Sequence, residues 1–203
     1  PVVGGPKNRG AIVTKWILDD DGDPIAGRRA YDSIYTENTL LGPAPVVGNE
    51  AQMPSQFARF CSAYLAGPAD GFDRYIYLTN EEDASTSTFD GMGGLSVAIY
   101  DNELHTLPKL GRYAKENTVV QPRQGTRTVV FSLEDGPATL DNQLYMYVGK
   151  KDRSAGATAL RRNGLDNGSV YVFRSLDPTR NSERTFTTGS VTGEWVEIPN
   201  VED

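Results

Sequence analysis

The sequence is short of the residues that staple, anchor or span. A single cysteine, Cys61, in 203 residues excludes a disulfide within the chain. No apolar run approaches the roughly 18 residues of a membrane-spanning helix. Positive charge is scarce: 20 Lys and Arg face 27 Asp and Glu, giving a net charge of -7 and a pI of about 4.8. That balance argues against a nucleic-acid partner, since a phosphate backbone calls for a basic surface, and it favours divalent cations. The one histidine, His105, reads as part of an edge hairpin with no nucleophile beside it, so a Ser-His-Asp hydrolase rests on residue types alone. Gly91-Met92-Gly93-Gly94 lacks the Lys-Ser/Thr that follows a phosphate-binding loop. No window of about 12 residues holds a 3.6 period, which leaves little room for helix.

What is present is punctuation and short strands. Gly (21) and Pro (12) are plentiful, and hydrophobic residues, at 38%, are few for a globular chain yet enough for a core. Strand patterns fall at 11–17, 57–65, 74–80, 95–100, 103–107, 127–133, 143–148 and 169–174, with weaker ones at 184–189 and 193–198. Asp19-Asp20-Asp21-Gly22-Asp23-Pro24 reads as a tight turn, with 28–35 returning as a strand. A calcium loop of the EF-hand type is disfavoured there because no Glu stands about twelve positions after the first Asp. Asp101-Asn102 reads as a two-residue hairpin turn, and 37–55 as a long surface loop. Asn167-Gly168-Ser169 fits a glycosylation acceptor or, more simply, a turn. The pattern is all-β: sandwich, barrel or propeller.

Chemistry concentrates around Cys61. The run Arg59-Phe60-Cys61-Ser62-Ala63-Tyr64-Leu65 is followed by Tyr75-Ile76-Tyr77-Leu78-Thr79-Asn80, which ends on Glu81-Glu82-Asp83. A thiolate is a soft ligand and a carboxylate a hard one, so a mixed site suits iron beside calcium better than zinc alone. Cys61 reads equally as a small buried hydrophobe. If the strand stays extended, alternation puts Glu82 on the face opposite Glu81 and Asp83. Arg112 reads as a group that could grip a phosphate bidentately or equally as one that packs its stem against Tyr113. Glu134 and Asp135, at the end of the strongest strand, read as ligands or as the opening of a turn at Gly136.

These segments, with Leu107-Pro108-Lys109-Leu110-Gly111-Arg112, Glu116-Asn117, Tyr145-Met146-Tyr147-Val148-Gly149-Lys150 and Gly164-Leu165-Asp166-Asn167-Gly168, resemble the PhoX-type alkaline phosphatase superfamily of secreted bacterial β-propellers over roughly 11–175. The resemblance implies four-stranded antiparallel blades, with a β-sandwich as the alternative, and a single all-β segment over 1–203 that supplies several blades of a larger propeller. It implies a secreted or periplasmic phosphomonoesterase whose iron and calcium are held by a Cys and several Glu. Carried over residue by residue, it makes Cys61, Glu82 and Glu116 metal ligands, Glu81 a calcium ligand or supporting group, and Arg112 a phosphate-binding catalytic residue. The family's early Asn-His-Glu run and later Arg-Pro-Glu segment have no counterpart in these residues, and its members are longer. Together with Pro1 where an initiator Met would stand, this points to a fragment, or to other chains that complete the propeller. The competing expectation is a non-catalytic extracellular propeller, stabilised by calcium, with a structural or binding role.

Overall fold

The computed structural model describes residues 10–43, 56–122, 125–135, 142–182 and 184–199. They form a two-stranded hairpin, a six-stranded sheet and a five-stranded sheet. The hairpin pairs β1 (Thr14–Leu18) with β2 (Pro24–Arg29) through the expected Asp turn. There Asp19 Oδ1 accepts hydrogen bonds from the Asp21 and Asp23 amides at 3.1 and 2.9 Å. Pro24 opens β2 rather than stopping it, as a first strand residue may be proline without losing a ladder bond. The return strand therefore begins earlier than the sequence pattern placed it, and 28–35 divides between β2 and β3 (Ser33–Thr36).

In the six-stranded sheet, β5 (Phe60–Ala66), β6 (Ile76–Glu81), β7 (Ser96–Tyr100) and β8 (Glu103–Leu107) form an antiparallel meander. The Asp101-Asn102 turn takes φ of 49° and 64°, the left-handed pair that a two-residue hairpin demands. Strand β3, hairpinned to β4 (Thr39–Pro43), then adds to β8 in parallel. This corrects two expectations. Part of 37–55 is strand β4, while 44–55 lies outside the described residues, and His105 sits inside the sheet rather than at its edge. The five-stranded sheet is an unbroken antiparallel meander of β9 (Lys115–Val120), β10 (Arg127–Glu134), β11 (Leu144–Lys150), β12 (Ser169–Ser175) and β13 (Gly193–Ile198). Strand β9 has no clear alternation in sequence, and no strand forms at 184–189. One helical turn, α1 (Ala159–Arg162), is capped by the Thr158 hydroxyl.

The all-β expectation holds, with six and five strands where four per blade was expected. Alternation along β7 sends Ala98 into a core shared with Leu78, Val130, Tyr147 and Val170, between the two large sheets. Val97 and Ile99 face a second core with Tyr31, Phe57 and Phe89. The two large sheets meet along β5 and β6 of one and β9 of the other, and the first core lies between them. Among the described residues no helix is long and apolar enough to cross a membrane.

His105 lies between the rings of Tyr35 and Tyr100, with centroids 4.7 and 4.6 Å away, and its Nε2 is 3.0 Å from the Glu103 carboxylate. Burial holds its pKa below the ordinary imidazole value, with Glu103 opposing. The folded chain thus keeps the ring neutral while the unfolded chain takes up a proton first as pH falls past about 6.5. The stability that the neutral ring preserves is present above that pH and is lost below it. The thermal midpoint should therefore fall further between about pH 7 and about pH 5 in the native chain than in His105→Gln. Equal slopes would contradict this.

Candidate metal centre

Two β-bulges build the site. From Phe60 to Ala63, β5 advances three residues while its partner β6 advances two, from Glu81 to Thr79, so an extra residue is inserted at Cys61-Ser62. From Lys115 to Asn117, β9 advances two residues while β10 moves one, from Glu134 to Leu133, so Glu116 is the extra residue. A bulge bends its strand and re-aims the inserted side chain, which is why bulges gather beside functional sites. These two lie on the facing first strands of the two sheets. The Ser62 hydroxyl donates to the Glu116 carbonyl oxygen and ties one bulge to the other.

Glu82 is the first residue beyond β6, and its amide donates to the Arg59 carbonyl at 2.8 Å, continuing the pairing with β5. The thiol of Cys61 and the carboxylates of Glu82 and Glu116 each bring a ligand atom within 4.8 Å of the other two. Three of the residues singled out in the sequence are thus brought together from two sheets. Their electrostatics are those of an undercompensated anionic cluster. Desolvation, then the Glu82 and Glu116 carboxylates, push the Cys61 thiol up. A hydrogen bond with Asp135, then desolvation, raise Glu82, while Arg59 and Cys61 pull it the other way. Arg59 sets its Nε 3.0 Å from Glu82 Oε2 and donates from Nη2 to the Glu82 carbonyl at 2.8 Å. With 68% of its side chain exposed, that pair is screened by water.

The donor set fits a cation. Ligands at the usual 2.0–2.6 Å from an ion stand at most about 5 Å apart, and the three atoms satisfy that. A carboxylate whose proton affinity is raised, as that of Glu82 is, would exchange that proton for a metal ion.

Glu81 and Arg112 stand elsewhere. Alternation turns Glu81 inward, as expected, where it is fully buried. Its Oε1 accepts from the amides of Ala58 and Phe89, both at 2.8 Å, and its Oε2 from Leu95 at 3.1 Å. Desolvation raises its pKa and those amides lower it. Arg112 forms an ion pair with Asp90 and lines neither cavity that opens on the cluster. Asp83 caps the turn at Ser85, whose amide lies 2.7 Å away. Two residues that the sequence did not single out as site residues do reach the cluster. Asp135, which read as a ligand or the opening of a turn at Gly136, hydrogen-bonds with Glu82, while Gly136 lies outside the described residues. Arg59 carried a signal only in its position two residues before Cys61.

Two cavities flank the cluster. One, of about 960 Å³, is lined by Arg59, Glu82, Ser85 and Asp135. The other, of about 840 Å³, opens past Glu116 and Asp135 toward the second sheet.

The family described as alkaline phosphatase PhoX matches the chain over residues 100–203. No curated protein matches it. Among solved structures, Pseudomonas fluorescens PhoX in complex with vanadate, a transition state analogue, is similar at 17% identity with a TM-score of 0.48. That likeness covers 83% of this chain and 35% of the other, so the chain spans about a third of the length of the structure it matches.

Proposed function

Since this chain belongs to the PhoX alkaline phosphatase family, we propose that it contributes a metal centre to a phosphomonoester hydrolase, with Cys61, Glu82 and Glu116 as ligands and Asp135 beside them. The observation that carries the reading is the convergence of one thiol and two carboxylates, within 4.8 Å of one another, from two bulged strands of different sheets. Iron with calcium is the cation set that the mixed soft and hard donors suit. Bound there, such ions would polarise a phosphoryl oxygen and offset the charge that builds in the transition state.

The chain's own residues do the rest. The Ser62–Glu116 bond fixes the spacing of the two bulges. Arg59 lies on Glu82 with an exposed guanidinium, close enough to meet a phosphoryl group entering the larger cavity, and guanidinium geometry suits phosphate oxygens. Arg112, held by Asp90, is the less favourable candidate for that contact. A phosphomonoester substrate, a secreted or periplasmic location and further chains or segments that complete the propeller belong to the same proposal.

Elemental analysis and p-nitrophenyl phosphate turnover on the purified protein test it together. The native chain should carry stoichiometric iron, and Cys61→Ala should lose both the iron and at least about 100-fold in turnover. Absence of metal from the native chain, or equal metal in the variant, would end the proposal. Calcium alone, without turnover, would favour the non-catalytic, calcium-stabilised module.

A further inference from the structure

The smaller cavity has a lining that metal binding leaves unexplained. Its mouth is Glu116 and Asp135, shared with the cluster, and among polar side chains such as Gln143 and Ser182 its lining carries an apolar and aromatic surface. Leu144 of β11 and Phe173 of β12 come from the sheet, and Phe186 comes from the segment between β12 and β13. Arg180 completes it. Its guanidinium stacks 5.0 Å from the Phe186 ring centroid and donates to the Ser190 carbonyl at 3.1 Å and to the Thr188 carbonyl. These contacts tie Arg180 to the Phe186 ring and to the backbone of the same segment. At about 840 Å³, the cavity has the size and the mostly apolar lining of a small-molecule site.

We infer that this cavity receives the alcohol portion of the ester, and that it selects aromatic leaving groups over small polar ones. The inference rests on the reading of the cluster as the phosphoryl site. A phosphoryl group held on a cation ligated by Glu116 would leave its ester substituent at the mouth of the cavity. A planar ring would there replace water against Phe173, Phe186 and Leu144, whereas a polyol would draw only on the polar side chains of the lining and leave that apolar area wet. An acidic group on that ring would meet Arg180.

The test compares 2-naphthyl phosphate with glycerol 2-phosphate on the full chain, and separately titrates 2-naphthol, which has no phosphoryl group, by calorimetry. Phe186 is 40% exposed, so its truncation spares the core. Phe186→Ala should lower the ratio of kcat/KM for the aryl ester over the glycerol ester about tenfold, and should weaken 2-naphthol binding by a similar factor. Phe186→Leu should recover part of both. An unchanged ratio, or failure of 2-naphthol to bind the native chain, overturns the inference. If 2-naphthol binds through Phe186 but no phosphomonoester is turned over, the aryl site stands and the hydrolase reading falls.

Discussion

Glu81→Ala should cost the fold on the order of 4 kcal/mol, read as a drop in the denaturant midpoint, because the substitution strands three buried amides at once. Each buried donor left without a partner costs about 1–3 kcal/mol, and the Ala58, Phe89 and Leu95 amides all point at this carboxylate. Glu81→Gln should lose less. One amide oxygen can still serve Ala58 and Phe89, but the Gln NH2 would then confront the Leu95 amide. Both variants should retain the metal under folding conditions, because Cys61, Glu82 and Glu116 remain. A variant that stayed as stable as the native chain but lost its metal would show Glu81 to be a ligand and refute the placement given to it here.

Lys115→Ala should be comparably damaging, by about 3–5 kcal/mol. Lys115 is fully buried. Its ammonium donates to the Gly94 and Gly111 carbonyls at 2.9 and 2.6 Å and lies 4.0 Å from the Tyr113 ring centroid. Burial pushes its pKa down to about 7, with Glu81 opposing. Truncation to alanine removes the packed stem and leaves two carbonyls unserved. Lys115→Met keeps most of the stem and removes a charge that was costly to bury, so its loss should be the smaller of the two. Equal midpoints for the two variants would mean that the hydrogen bonds, rather than the packing, carry the effect.

The two residues form the back of the site. Glu81 precedes Glu82 and Lys115 precedes Glu116, so each of these two members of the cluster follows a fully buried neighbour in the chain. Gly94 runs between them. A Cβ there would sit 2.4 Å from both the Glu81 and Tyr113 carbonyl oxygens, so the Gly-rich run serves close backbone approach rather than phosphate binding.

Where side chains alternate simply, the sequence was readable. The β7–β8 hairpin follows from two short buried runs around the Asp101-Asn102 turn, and the opposite facing of Glu81 and Glu82 follows from the period of two. Strand β9 was hidden because its buried positions include Lys115, which no hydrophobic pattern can flag. The parallel docking of β3 on β8 was hidden because it depends on a non-local pairing, and it is what moved His105 inside. Cys61, Glu82 and Glu116 could be named from resemblance. That they meet could not, because bulges that insert single residues leave no composition signal. Arg112 was attractive as a lone arginine in a motif, and its partner Asp90 lies 22 positions away in the chain.

The seam between the two large sheets gives the cluster a mechanical consequence. Cys61 belongs to one sheet and Glu116 to the other, so an ion gripped by both would be a rivet through that seam. Its affinity would be drawn into cohesion, adding about 2.7 kcal/mol when the free ion stands at a hundred times its dissociation constant. Chelation would then loosen the seam where β5 meets β9.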